Sequence, residues 1–255
     1  MIKAERQDYI LKELNKRQII RVSDITDELN VTEMTIRRDL AELEDKDLLV
    51  RVHGGAKLKN ELPLTELSHL DKQEINLQEK EYIAKIIANE INNNETVFLG
   101  SGTTIELVYD YLTIDHAKIV TNSIFAFNKF KNDPRFELIL IGGNYRQKTG
   151  AFVGTIANEF LSTIYVQKAF IGVNAIDIDH IYNANEDEGL MQKNVFINSK
   201  TKYIVADHTK FNKQDFYKFY DICDADYLIT DNLLPKKTYQ EYNKILTVIN
   251  KLPKN

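Results

Sequence analysis

Along the first fifty or so residues, apolar positions recur at helical spacing in three short groups. "IKAERQDYILKELNKR" places Ile2, Tyr9, Ile10 and Leu14 on one stripe, which predicts a helix. Ile25 and Leu29 supply the inner face of a second, shorter helix, with Ser23 as its expected N-cap and Asn30 where a left-handed residue would end it. Thr32 then caps a third helix, in which Ile36, Leu40 and Leu43 recur at i, i+4 and i+7 and should point inward. "LLVRVHGGA" alternates and closes on two glycines, a small hairpin. Residues 58–77 are polar, contain Pro63 and hold no sustained stripe, so they read as a linker, after which "EKEYIAKIIANEINNNE" is an amphipathic helix.

From Thr96 the period changes. Short apolar runs, "VFLG", "KIVTN", "ELILIGG", "KAFIGVNA", "KYIVAD" and "YLITD", alternate with helical stretches. Runs this short and this apolar predict buried parallel strands joined by crossover helices, an open α/β sheet of Rossmann type. The expected organisation is therefore a multidomain α+β chain. A winged helix-turn-helix occupies 1–57, a linker 58–77 and an α/β domain 78–255.

Composition narrows the classes. The chain of 255 residues is 43% hydrophobic and 28% charged, ordinary for a globular protein. No apolar run reaches the roughly 20 residues that span a bilayer, and the charged N-terminus has no signal-peptide core. A single cysteine, Cys223, excludes an intramolecular disulfide and a multi-cysteine metal site. A cytoplasmic protein without membrane contact, metal or cofactor is expected. Net charge is −5, and residues 1–57 hold 11 Lys/Arg against 12 Asp/Glu. Any nucleic-acid contact must come from a local cluster rather than a bulk field.

The third helix offers such a cluster. Two short helices joined by a tight turn cross steeply, and the second can enter a major groove. Its outer face carries Thr32, Glu33, Thr35, Arg37 and Arg38 near the N-terminal end, and Ser23 opens the helix before it. Arginine can bind guanine bidentately, and threonine can contact a phosphate or a thymine methyl. The hairpin adds Arg51 and His53 as a wing. Ser23, Thr32, Glu33, Thr35, Arg37, Arg38, Arg51 and His53 are the expected DNA-facing set.

In the α/β domain, ligands belong beyond the carboxyl ends of the strands. Gly100-Ser101-Gly102-Thr103-Thr104 follows the first strand and runs into a helical pattern, a turn suited to an anion. Thr121-Asn122-Ser123 follows the second strand, Gly143 and Arg146 the third, Asn174 the fourth and Lys210 the fifth. Hydroxyls and backbone N–H groups would donate to phosphate oxygens, with Arg146 and Lys210 as counter-charge. Threonine after Gly102 excludes a nucleotide P-loop, and Ile105 breaks a dinucleotide fingerprint. In the acidic segment 183–193, Glu186 and Glu188 are either an exposed loop or contacts to sugar hydroxyls.

These motifs resemble those of the DeoR-type bacterial repressors. "VTEMTIRRDLAELEDKDLLVRVHGGA" is similar to that family's N-terminal signature, and "FLGSGTTIEL", "VTNS", "LIGGNYR", "TGAFVG" and "ADHTKF" to successive motifs of its C-terminal domain. Within the family, "TGAFVGTIANE", "KAFIGVNAI", "NEDEG" and "FNKQDFYKFYD" look like the repressors of lactose phosphotransferase systems. The resemblance implies a repressor that oligomerises, as a dimer or tetramer, on operator DNA. It also implies a C-terminal domain similar to ribose-phosphate isomerase and glucosamine-phosphate deaminase folds that senses a phosphorylated sugar, tagatose 6-phosphate in that subgroup. The chain departs from the subgroup at Gly100-Ser101, where Gly-Pro precedes Gly-Thr-Thr, and in its Glu-Asp-Glu segment. Two other functions fit the residues: a sugar-phosphate isomerase or deaminase using Glu186, Glu188 or Asp207 as base, and a head that binds a protein instead of DNA.

Overall fold

The computed structural model describes residues 2–17, 19–46, 48–52, 54–57 and 66–253. The chain divides into two compact units, Met1–Leu64 and Thr65–Asn255. His53 and the first part of the expected linker, 58–65, lie outside the described residues.

The first unit contains α1 (Lys3–Arg17), β1 (Ile19–Arg21), α2 (Val22–Leu29), α3 (Glu33–Asp45), β2 (Val50–Val52) and β3 (Gly55–Lys57). Ile10, Leu14, Ile25, Ile36, Leu40 and Leu43 pack into one core. Ile2 is 66% exposed, because it precedes the first turn of α1. Asn30 ends α2 with φ 50°, and the Thr32 hydroxyl accepts from the Thr35 amide at 3.3 Å to start α3.

Ser23 and the wing both differ from expectation. Ser23 does not cap α2; the cap is Arg21, with no side-chain cap bond. The helix begins early because β1 runs straight into it, and the wing satisfies its first amide, Val22 N donating to Gly54 O at 2.9 Å. Ser23 is left exposed, its hydroxyl donating to Asp24 at 3.0 Å. The wing is also a three-stranded sheet in the order β1-β3-β2, not a lone hairpin. Gly55 makes this possible, since a Cβ there would sit 1.9 Å from the Ile20 carbonyl oxygen.

The second unit opens with α4 (His69–Gln73), inside the stretch expected as linker, and α5 (Leu77–Glu90). Next come β4 (Thr96–Leu99), β5 (Ala117–Thr121), α6 (Ile124–Phe130), β6 (Phe136–Leu140), β7 (Asn144–Arg146), β8 (Ala151–Val153), α7 (Thr155–Ser162) and β9 (Val166–Gly172). The chain continues through β10 (Ala175–Ile176), β11 (His180–Asn183), α8 (Glu186–Ile197), β12 (Ser199–Val205), β13 (Tyr217–Asp221), β14 (Tyr227–Ile229), α9 (Lys236–Tyr242) and β15 (Thr247–Ile249). Seven strands pair in the order β15-β14-β12-β9-β4-β5-β6, every pairing parallel. The six apolar runs are six of them; β15, only three residues long, has no comparable signal.

Both faces of the sheet are covered. Phe98 packs with Leu161, Val195 and Phe196 on one side, while Val97 and Leu99 pack with Ile83, Ile87 and Val108 on the other. A strand buried on both faces must be apolar at consecutive positions, which is why "TVFL" does not alternate. The chain builds outward from β4 through β5 to β6, then returns to β9 on β4's other side and builds away through β12. The strand order thus reverses between β4 and β9, where a crevice opens beyond the strand ends.

Candidate DNA interface and candidate effector pocket

On the outer face of α3, Glu33, Met34, Arg37 and Arg38 are all exposed. Arg37 donates to Glu33 one turn earlier at 3.1 Å, and Arg51 on β2 donates to Glu44 at 2.6 Å. Exposed pairs of this kind hold little free energy and are readily exchanged for phosphate. Arg38 has no ion-pair partner among the described residues. Thr32 and Thr35 share a hydroxyl contact at 2.9 Å, so the cap occupies both side chains. The inward face holds an ion pair that the pattern does not reveal: Asp39, 1% exposed, is bound by Arg6 of α1. That hydrogen bond raises the Arg6 pKa further. Met34, 80% exposed, was also missed; a large apolar side chain in water beside Arg37 and Arg38 suits a thymine methyl.

At the switch point, the Gly100 amide donates to Phe170 O at 3.0 Å. A Cβ on Gly100 would lie 3.2 Å from that oxygen, so the loop lies tight against β9. The Ser101 carbonyl packs near Gly172, two residues before Asn174. Gly102 and Gly143 both have φ of 149°, a conformation side chains resist. The hydroxyls of Ser101, Thr103 and Thr104 have no hydrogen-bond partner among the described residues. The loop leads into a 3₁₀ helix, Ile105–Tyr111, in place of the expected α-helix. Its sequence, "IELVYDY", is rich in β-branched and aromatic residues that lower α propensity. The loop therefore lacks the aligned amides of an α-helix N-terminus.

The second loop turns inward. Thr121, Asn122 and Ser123 are each at most 2% exposed. Thr121 Oγ1 accepts from the Ser123 amide at 3.1 Å, Ser123 Oγ caps α6 by accepting from Ala126 N at 3.2 Å, and Asn122 Nδ2 donates to Phe152 O at 3.1 Å. Their polar atoms build the turn, except Asn122 Oδ1, which is buried without a partner among the described residues. Each side chain thus already holds a backbone group in place, and the three are buried rather than open at the strand end.

Cationic groups converge elsewhere. Lys72 of α4 donates from Nζ to Asn174 Oδ1 at 3.2 Å, and Lys80 of α5, 5% exposed, donates to the Lys72 carbonyl. Asn174 in turn donates to Asp215 at 3.1 Å. Burial, then repulsion from Lys210, pushes Lys72 down to about 8. Burial and Lys210 also take Lys80 down to about 8, against the attraction of Asp207. Lys213 is lowered by burial and by Lys210. Burial alone would raise the Asp207 carboxyl, but Lys210 and the Thr209 hydroxyl and amide hold it below its ordinary range. Among the described residues, Lys72, Lys80, Lys210 and Lys213 thus share a partly buried space with Asp207 and Asp215. Glu66, Glu188 and Glu106 add to the carboxylates around these lysines, yet burial and mutual repulsion still hold Lys72, Lys80 and Lys213 below the ordinary lysine range, and a bound anion would relieve both.

Arg146 is engaged rather than open. It donates to Glu66 at 2.9 Å and to Glu188 at 3.1 Å, and the Glu66 bond raises its pKa. Glu188 also accepts from the Thr149 hydroxyl. The acidic segment is the first turn of α8, capped by Asn185, which accepts from Glu188 N at 3.1 Å. Carboxylates are favourable at that end of a helix. Glu186 is exposed and Glu188 is 5% exposed. Three acids near Lys72, Glu66, Glu188 and Asp215, attract it.

The structure therefore brings together Asn174 and Lys210 with Lys72, Lys80 and Lys213, and places Gly100–Thr104 at the end of the adjacent strand β4, with the Ser101 carbonyl near Gly172 of β9. The three added lysines gave no signal in the sequence. Lys72 lay in an apparent linker, Lys80 within an ordinary amphipathic helix, and Lys213 in the stretch "FNKQDFYKFYD", where no single residue stands out.

Comparison with known proteins agrees with this architecture. Residues 6–61 match a DeoR-like helix-turn-helix domain, and residues 75–232 match a DeoR C terminal sensor domain. The chain is 36% identical over 250 residues, 97% of each chain, to a lactose phosphotransferase system repressor of Staphylococcus aureus. It is 35% identical to the protein of that name from Streptococcus mutans, over 98% of this chain and 100% of the other. Among solved structures, ribose 5 phosphate isomerase A from Neisseria gonorrhoeae aligns over 52% of this chain and 53% of its own, with a TM-score of 0.36 and 16% identity, a likeness that says nothing about activity. No helix among the described residues is long and apolar enough to cross a membrane. With a winged head of exposed cations, a parallel sheet bearing lysines at its switch point and relatives matched from end to end, the chain belongs to the DeoR family.

Proposed function

We propose that this protein is a DNA-binding repressor of a sugar-utilisation operon, released from its operator by a phosphorylated sugar, and that it acts as a homo-oligomer. Lys72, Lys80, Lys210 and Lys213 carry this reading. A phosphate dianion would lie against these lysines and offset their mutual repulsion, and Asn174 with the hydroxyls of Ser101, Thr103 and Thr104 would meet its oxygens. The likeness to lactose-system repressors favours a ketohexose phosphate such as tagatose 6-phosphate. In the head, Arg37 and Arg51 would leave weak surface pairs for DNA and Arg38 would join them, with Thr32, Thr35 and Met34 beside them. Two heads at half-site spacing require at least two copies. A coupling free energy of about 1–3 kcal/mol would change operator affinity roughly 5- to 150-fold.

A regulator is favoured over an isomerase or deaminase by the state of the carboxylates. A general base works best with a pKa near the working pH. Asp207 is instead held below its ordinary range, and Glu188 is bonded to Arg146 and Thr149. His208, adjacent to Asp207 in sequence, is turned to Asp231, whose carboxylate lies 3.0 Å from its Nδ1.

The test is a thermal-shift panel of sugar phosphates followed by gel shifts on the promoter region beside the gene. A ligand at 100 times its Kd adds about 2.7 kcal/mol of stability. The same compound should release DNA without being consumed; sustained turnover would return the isomerase reading, and a head that ignores DNA would return the protein-partner reading.

A further inference from the structure

One short segment touches every strand end that forms the candidate pocket. Glu66 accepts from Arg146 at 2.9 Å, and the His69 amide donates to Lys148 O at 2.7 Å, both beyond β6. The His69 ring stacks on Phe125 of α6, centroids 3.6 Å apart, and its Nε2 lies 2.7 Å from Glu106 Oε2, after β4. Lys72 reaches Asn174 after β9, and Asn76 Nδ2 donates to Asp207 at 3.3 Å and Thr209 at 3.4 Å after β12. In sequence the segment continues directly from residues 58–65, which lead from the winged head.

Its attachment is mostly polar. His69 is its one fully buried side chain, while Leu70 is 73% exposed. Little apolar area holds it down, so its free energy depends on the charges around it. Lys72 rides on the segment, whereas Lys80, Lys210 and Lys213 belong to the body; Lys210 and Lys80 repel Lys72, and Glu188 and Asp215 of the body attract it.

We propose that residues 66–76 form a strap clamped by the ligand: a phosphate dianion bound between Lys72 and the body lysines offsets the repulsion among them and fixes the point where the chain leaves for the head. This rests on the pocket reading above and deepens it. A ligand that binds two strap states unequally must shift their populations, and the strap offers that inequality through Lys72.

The experiment tracks amide hydrogen exchange of the peptide spanning 66–76 in the full-length protein, with tagatose 6-phosphate and, separately, inorganic phosphate as probes. Thermal shift is recorded alongside. Slower exchange of this peptide at probe concentrations that raise Tm supports the strap. A Tm shift with unchanged exchange in 66–76 overturns the strap and leaves the pocket standing. No Tm shift with either probe overturns both. Ser68→Ala supplies the second arm. Ser68 caps α4 through a reciprocal bond with Asp71, and its hydroxyl is bonded to Asp71 rather than to a lysine of the cluster. Losing such a cap should speed exchange of the ligand-free strap about fivefold. It should also reduce the probe's effect on operator affinity. A variant whose exchange and operator response match the wild type overturns the proposal.

Discussion

The two units handle positive charge in opposite ways. On the head, Arg37 and Arg51 sit in water and rest on Glu33 and Glu44 at the cost of little free energy. In the second unit, lysines are drawn out of water against one another, and two of them are pushed down to about 8. A surface cation keeps its hydration until DNA arrives, and it gains by counterion release. A buried cation is destabilised until an anion arrives, so it turns ligand binding into a conformational preference. The first arrangement suits affinity and the second suits switching.

Removing one lysine should break this contrast most sharply. Lys210→Met is expected to lower affinity for an inducing phosphate ester about 100-fold, the loss of one or two charge-assisted bonds. The same change removes both the repulsion of Lys72, Lys80 and Lys213 and the attraction for the buried Asp207 carboxylate, so the stability of the ligand-free protein should change far less than the affinity. Calorimetry with and without the ester measures both, and a destabilised, normally responsive variant would mean that Lys210 is structural.

Asp39→Ala tests whether the head holds any charge in the buried manner. Leaving Arg6 without its partner should cost about 3 kcal/mol and lower the melting of the first unit alone. A variant that melts like the wild type would make the Arg6–Asp39 pair dispensable.

On the recognition helix, Arg38→Ala should weaken operator binding about tenfold and reduce the salt dependence by about one phosphate contact. Arg37→Ala should weaken it less, because Arg37 must first leave Glu33. Equal affinity of both variants and the wild type would remove this face of α3 from the DNA.

The mildest test is pH. Lys72 and Lys80 are lowered to about 8 in the fold, below their ordinary value near 10.5. Between those values the unfolded chain binds more protons, so stability of the ligand-free protein should rise with pH from about 8 to about 10.5. Binding of a phosphate dianion needs those protons and should weaken about tenfold from pH 7.5 to 9. It should also weaken below about pH 6, where the phosphate itself gains a proton. An affinity that is flat between pH 7 and 9 would take Lys72 and Lys80 out of the phosphate site.

The head was more legible in the sequence than the pocket. Ile36, Leu40 and Leu43 fixed which side of α3 faces inward, and Asn30 and Thr32 marked the turn, because helical period and capping are local. Ser23 misled because the start of α2 is set by β1 and Gly54, a pairing across the unit. In the second unit the apolar runs located six of the seven strands, and the small residues after β4 marked one side of the crevice.

What the sequence determined alone is therefore the architecture: a winged helix-turn-helix followed by a doubly wound parallel sheet, each written in local periodicity and small-residue turns. Only the tertiary structure decided which charges meet. It set the Thr121, Asn122 and Ser123 side chains against backbone groups of the turn and of Phe152, spent Arg146 on Glu66 and Glu188, and gathered lysines from positions as distant as 72 and 213 around Lys210, with Asp207 and Asp215 beside them. Charge carries no period along a chain, and its energy depends on burial and on neighbours that only the fold supplies.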